Sequence, residues 1–211
     1  MGNQDNAASA SEDVYWRMLL RRDPASVCRN ALATFDHQKV AYTLRVVDLN
    51  YMVAPKTRTI VGEVASDRDS GDVGWDIRLL ILAYMAGATE TPVTGRWVSP
   101  IGFSGGDLFF SSDAHNLSFT ELLLTFKSPE DFLRAGQKVG GKKDVIGDSS
   151  FVLQTLPRIP MLFIYWAGDD ELPSKISLLV DQSAICHVAI DGLWLGTRVS
   201  EKRLIAAASS E

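Results

Sequence analysis

The chain has 211 residues with a formal net charge of −5, of which 46% are hydrophobic and 22% charged. That length supports a single sizeable core and that composition argues against a disordered chain. The negative balance supplies no attractive field for phosphate backbones, so nucleic acid is not the expected partner.

The opening MGNQDNAASASED is polar and acidic, without the basic start and apolar run of a secretory signal, and a cytoplasmic location is expected. Gly2 begins a myristoylation motif that fails at Asn6, where Ser or Thr is needed. Residues 1–10 lack apolar periodicity and are expected to form a flexible tail ahead of one domain over residues 11–211. Ser11 can cap a helix to about Arg22, and Asp23-Pro24 opens a second helix to about Phe35, with Val27, Ala31 and Thr34 on its buried side. Cys28 and Cys186 are too few for a metal or disulfide framework and read as small core residues.

From Ala41 the pattern alternates, with Tyr42, Leu44 and Val46 on one side and Thr43 and Arg45 on the other. Asp48-Leu49-Asn50 turns the chain into residues 51–54, residues 59–65 continue the β pattern, and residues 66–72 form a polar loop; an antiparallel meander results. Trp75, Leu79, Leu82 and Ala86 share a helical face, and Gly87 can end that helix. Residues 79–88 and 161–167 are the longest nearly apolar stretches, and both fall short of the roughly 20 residues that span a bilayer.

Residues 91–116 hold Pro92, Pro100 and several glycines, which suits short strands and loops. Ser118 can cap residues 119–126, and Ser128-Pro129-Glu130-Asp131 opens a helix that Gly140-Gly141 stops. Residues 151–156 and 161–167 read as strands, the second apolar enough to be central, with residues 175–180 beside them. A last helix is expected from about Asp191 to Ala207, weakened by Gly192 and Gly196. The fold class is α+β: one domain with a mixed or antiparallel sheet and several packed helices.

Three motifs invite chemistry. The run from Gly136 to Lys142 has phosphate-loop spacing, but Lys143 stands where a magnesium-binding hydroxyl belongs, and a helix stop explains the residues. Gly102-Phe103-Ser104-Gly105-Gly106 satisfies G-x-S-x-G, and a hydrolase triad could be completed by Asp169 or Asp181 with His187. The flanks of Ser104 lack the strand and long helix of a nucleophile elbow, and a glycine-rich turn is the plain alternative. Asp169-Asp170-Glu171 follows the apolar strand ending at Trp166; with Asp181 and His187 it could hold a divalent metal or a general acid, or it is a solvated acidic turn. The spacing matches no named metal signature.

The five tryptophans, Trp16, Trp75, Trp97, Trp166 and Trp194, are expected in the core, with an aromatic ligand pocket as the alternative. His37 and His115 are expected at the surface.

ILAYMAGATETPVTG at residues 81–95, Trp97, Leu156-Pro157-Arg158-Ile159-Pro160, Trp166-Ala167-Gly168-Asp169-Asp170-Glu171-Leu172-Pro173 and Leu179-Val180-Asp181-Gln182-Ser183 occur in this order. Together they resemble the prokaryotic domain of unknown function 3786 family. The resemblance implies no reaction and no catalytic residue. It marks Trp166, Asp169, Glu171, Pro173 and Asp181 as family-pattern positions, serving either folding or a ligand. Some members of that family join the domain to a cysteine-rich iron–sulfur segment like that of corrinoid proteins. Cys28 and Cys186 cannot supply such a cluster, so the resemblance implies a corrinoid or iron–sulfur partner protein. A non-catalytic cofactor-handling or accessory domain is therefore expected. The alternatives are a hydrolase using Ser104 with His187, or a metal at Asp169, Glu171 and Asp181, and a protein-interaction domain.

Overall fold

The computed structural model describes residues 2–63 and 73–209. In chain order these form α1 (Gly2–Arg21), α2 (Pro24–Ala31), β1 (Thr34–Asp36), β2 (Ala41–Val46), β3 (Leu49–Ala54), β4 (Thr59–Gly62), α3 (Trp75–Gly87) and β5 (Trp97–Val98). Then come α4 (Gly106–Phe110), α5 (Thr120–Thr125), α6 (Pro129–Lys138), β6 (Lys142–Asp144), β7 (Ser149–Leu156), β8 (Ile159–Trp166), β9 (Lys175–Asp181) and α7 (Ile190–Ala208). Single 3-10 turns occupy Pro100–Gly102 and Gln182–Cys186. The fold is α+β, with two wholly antiparallel sheets ordered β1-β2-β3-β4 and β5-β9-β8-β7-β6. Among the described residues no helix is long and apolar enough to cross a membrane.

The helix that opens the chain begins at Gly2 rather than at Ser11. Asp23 caps α2 by accepting from the Ser26 N–H at 3.0 Å, with Pro24 at the first helical position. That helix stops at Ala31, short of Phe35, because Leu32 takes a left-handed conformation at φ 52°. The released chain becomes β1, where Phe35 pairs with Tyr42.

The first sheet is the expected meander, with Tyr42, Leu44 and Val46 buried and Thr43 and Arg45 exposed. The expected extension of β4 to Ala65 and the polar loop over residues 66–72 lie outside the described residues, apart from Glu63. The second sheet joins the first through the Val47 N–H, which donates to the Thr155 carbonyl at 2.9 Å.

Every residue of β8 before Trp166 is buried, as its unbroken apolar run predicts for a central strand. Pro160 lies inside this strand rather than in a preceding turn. It is tolerated there because the β7–β8 pairing shifts register between Gln154 and Leu156, beside Pro160. The Lys142–Asp144 edge strand was not foreseen, since its charged residues carry no apolar alternation.

Helix α3 is apolar almost all round and runs between α1 and α7. Its first residue departs from the expected buried face: Trp75 is 57% exposed. Helix α7 packs on α3, α5, α6 and β7. Gly196, which lowers helix propensity, lies where an added Cβ would come within 3.1 Å of the Met161 side chain. Close packing here offsets weak propensity.

The phosphate-loop look-alike is a helix ending. Gly140 takes φ +86° while the Gly141 N–H donates to the Gly136 carbonyl at 2.7 Å and the Gly140 N–H to the Gln137 carbonyl at 3.0 Å. These are the paired bonds of a Schellman stop. Gly136 has no room for a side chain, since its Cβ would sit 2.5 Å from the ring of the fully buried Phe151. Gly136→Ala is expected to destabilise the fold by about 1–3 kcal/mol through overpacking, read as a lower urea midpoint at unchanged slope.

Candidate functional site

The segments singled out by the sequence sit at the two ends of the β7–β8–β9 sheet. Trp166 pairs with Lys175 at one end of the β8–β9 hairpin, and Met161 with Val180 at the other. The turn carrying Asp169 and Glu171 therefore lies at the first end, while Asp181 and His187 lie beyond the second. The length of β9 separates them by roughly 20 Å. The convergence expected of Asp169, Glu171, Asp181 and His187 does not occur. Its physical obstacle is the antiparallel register, which sequence proximity does not reveal. Among the described residues no group of three or more His, Cys, Asp or Glu side chains is arranged to hold a metal ion.

At the second end the polar groups fasten backbone. Asp181 is fully buried, and its Oδ1 accepts from the Thr94 N–H and hydroxyl at 3.0 Å each and from the Ser183 N–H and hydroxyl at 2.9 and 2.6 Å. Its Oδ2 accepts from the Gly95 N–H at 2.6 Å. Burial pushes the Asp181 carboxyl up, but the hydrogen bonds from Ser183 and Thr94 outweigh it and hold the pKa down at about 2. The carboxylate thus pins residues 94–95 to the start of the turn Gln182–Cys186, with no lone pair assigned to a ligand.

Arg158, in the β7–β8 turn after Pro157, does the same for α2. Its guanidinium donates to the carbonyls of Asn30 at 2.6 Å, Arg29 at 2.9 Å and Thr91 at 3.4 Å. Its N–H donates to the Tyr84 hydroxyl at 3.1 Å, and that hydroxyl donates to the Ala31 carbonyl at 3.1 Å. The last carbonyls of α2 are thereby capped by a cation and a phenol, as the helix dipole favours. Burial raises the Tyr84 pKa, against the opposing hydrogen bond from Arg158.

His187 is 1% exposed. Its Nδ1 accepts from the Thr89 N–H at 3.4 Å, which places the proton on Nε2, and Nε2 is buried without a hydrogen-bond partner. Burial and the Arg158 charge lower its pKa, against a raising contribution from Asp181, so the ring is held neutral.

No hydrogen bond joins Ser104 to His187. Ser104 is exposed between the turn Pro100–Gly102 and the five-residue α4. This is the tight glycine turn rather than a nucleophile elbow: Gly105 takes φ +78°, and a Cβ on Gly106 would lie 2.4 Å from the Pro100 carbonyl.

The acidic turn at the first end is exposed and closed by its own hydrogen bonds. Asp169 Oδ1 accepts from the Glu171 N–H at 2.9 Å and the Leu172 N–H at 2.8 Å, an Asx turn that lowers its pKa. The Asp169 N–H returns to the Leu172 carbonyl at 2.9 Å, and the Gly168 N–H to the Ser174 hydroxyl at 2.9 Å. A second loop is tied beside it. The Asp148 N–H donates to the Tyr165 carbonyl at 3.1 Å, and Asp148 Oδ2 accepts from the Ala167 N–H at 2.8 Å. Trp166 is half-buried, donates to Ser177 at 3.1 Å and lies under the Lys175 ammonium, so it supports this end of the sheet. Leu172 on one loop and Val145 on the other are 68% and 93% exposed.

The remaining tryptophans divide. Trp16 is core and Trp97 half-buried in β5, while Trp75 and Trp194 line one open cleft with Arg198 and Lys202. His115 is not a plain surface residue, since it stacks on Phe109 at 4.2 Å and meets Trp194 edge-on at 5.0 Å. His37 is exposed, Cys28 half-buried and Cys186 exposed. Sequence reasoning missed Arg158, Tyr84 and Thr94. It also missed Trp194, Arg198 and Lys202 as a unit, although their spacing of four residues along α7 was a readable signal.

A family model described as "Domain of unknown function (DUF3786)" matches residues 23–202. No curated protein and no solved structure matches.

Replacing Asp181 tests the fastening role. Its depressed pKa contributes stability that is present above the unfolded value near 3.8 and lost as pH falls through about 2. Asp181→Asn is expected to cost about 2 kcal/mol at pH 7, and the difference from wild type should shrink as denaturant titrations are repeated toward pH 2.

Proposed function

We propose that this chain, which belongs to the DUF3786 family, is an accessory domain that works by docking a partner protein through the end of the five-stranded sheet carrying residues 144–148 and 167–174. The observation that supports this is a tip held by its own hydrogen bonds that displays Leu172 and Val145 to solvent. Each buried aliphatic side chain contributes roughly 1.5–3 kcal/mol, and this tip is already ordered by its own hydrogen bonds, so docking loses little loop entropy.

Charge sets the kind of partner. Asp144, Asp148, Asp169, Asp170 and Glu171 outnumber Lys142, Lys143 and Lys175 around the tip. A partner with a basic rim around an apolar recess is complementary, and the acidic field would steer the encounter. The resemblance to a family with iron–sulfur and corrinoid-like members supplies the partner class: a protein that itself holds such a cofactor. Direct cofactor handling by this chain has less support. The cleft beside Trp75 has a volume of about 380 Å3, at the small end of ligand sites and short of what a tetrapyrrole plate requires.

A photo-crosslinking residue at position 172 or 145, with one at exposed position 57 as control, tests the reading in cells. Positions 172 and 145 are expected to capture one common partner bearing an iron–sulfur or corrinoid group. Leu172→Ser should weaken that complex by roughly tenfold, and added salt should slow its formation. Equal labelling from position 57, or no loss with Leu172→Ser, overturns the docking tip. A captured partner without such a cofactor overturns the partner class alone.

A further inference from the structure

We infer that the cleft between the start of α3, the loop at residues 113–116 and α7 is a binding site for a small planar monocarboxylate, an aromatic or heteroaromatic acid. This site is independent of the docking tip. Its lining holds Trp75 from α3, Asp113 and Asn116 from the loop, and Trp194, Arg198 and Lys202 from α7, around about 380 Å3. Trp194, Arg198 and Lys202 follow one another at four-residue steps, so α7 presents an aromatic face and then two cations in a row.

The aromatic part is built. Phe109 stacks on His115 with 22° between planes, His115 meets Trp194 edge-on at 85°, and a 2.9 Å hydrogen bond between Ser112 and His115 Nδ1 fixes the middle ring. Trp194 is thereby backed by a chain of rings while its own indole lines the cleft. Trp75, 57% exposed at the first turn of α3, lines the other side. Trp75 is a large aromatic left open at the first turn of a mostly buried helix, and a planar ligand in the cleft that Trp75 and Trp194 both line would cover apolar surface of each.

The polar part selects the ligand's charge. Arg198 donates one N–H to Glu201 and Lys202 one to Asp76, and neither has another described partner. Glu201 is 2% exposed, so it anchors Arg198 from beneath. The unused N–H groups of Arg198 and Lys202 give the cleft donors that a carboxylate satisfies in the fork geometry that guanidinium prefers. Asp76 is buried and already bonded to Lys202 and to the Ile77 N–H at 3.0 Å, so it does not compete. Asp113 is exposed with no ion-pair partner among the described residues, so its charge opposes any carboxylate that Arg198 and Lys202 do not hold. One carboxylate on a flat apolar body fits all of these.

The experiment is a titration of the purified full chain with benzoate, nicotinate and indole-3-carboxylate, alongside benzamide, nicotinamide and phthalate, followed by calorimetry and tryptophan fluorescence. At least one monocarboxylate is expected to saturate. Its amide and the dicarboxylate are expected to bind at least roughly tenfold more weakly, since a hydrogen bond to a charged group is worth about 1.5–3 kcal/mol. Trp75→Ala removes an exposed side chain and should weaken binding without changing the unfolding midpoint. Arg198→Gln leaves Glu201 buried and unpaired, so Arg198→Gln with Glu201→Gln is the companion variant; both should lose the preference for acid over amide. No saturable binding by any of the three acids, equal binding of acid and amide, or indifference to both Trp75→Ala and the double variant overturns the site.

Discussion

The antiparallel pairing of β8 with β9 governs everything that can be said about function. It runs from Trp166 opposite Lys175 to Met161 opposite Val180, so the two stretches richest in chemistry are held at opposite ends of a buried strand. The pairing runs over six residue pairs, and a slip would break the packing of large buried side chains such as Phe163 and Tyr165 against Phe119, Phe132 and Phe151. The separation is therefore as fixed as the core itself. A site shared by the acidic turn and the imidazole would require a different fold.

Given that separation, each end uses its polar residues differently. Beyond the end marked by Asp181, a buried carboxylate, phenol and imidazole and a half-buried guanidinium are spent on backbone: Asp181 on residues 94–95 and 183, Arg158 and Tyr84 on the last carbonyls of α2, and His187 on the Thr89 N–H. Such groups are costly to bury and strongly anchoring once satisfied, which makes them local pins between the elements they join. His187 is the incomplete case, because its Nε2 proton has no partner, and the neutral ring keeps that deficit to one hydrogen bond rather than a buried charge. At the other end carboxylates face water and organise only their own turn.

Much of this was legible in the sequence wherever burial imposes a period. The meander of β2 and β3, the central character of β8, the helix stop at Gly140 and the proline-opened helices follow from alternation, apolar runs and turn chemistry read locally. The errors fall where tertiary contact overrides local signal. Leu32 ends α2 in a left-handed conformation without the glycine or asparagine that would announce it, its carbonyls being capped by Arg158, which lies far along the chain. Lys142–Asp144 is an edge strand with no apolar face, so only its partner β7 defines it. For the site, residue types were legible but their meeting was not. Asp181 stood out as a family-pattern position, yet the identity of its donors, Thr94 and Ser183, depends on how the loop before β5 meets the end of β9.

The tip and the cleft illustrate one physical rule in two forms. An exposed apolar group on a flexible loop is ordinary, because folding around it would lose the entropy that its burial returns. Leu172 is different: Asp169, Gly168 and Ser174 have already fixed the turn that bears it, and Asp148 ties that turn to its neighbour. Trp75 sits on the first turn of a mostly buried helix and lines a cleft with Trp194, which is braced by His115 and Phe109. In both places the ordering has been completed within the chain before any partner arrives. The free energy of covering the exposed group is then available almost whole for association, and that is the property expected of a surface kept for binding.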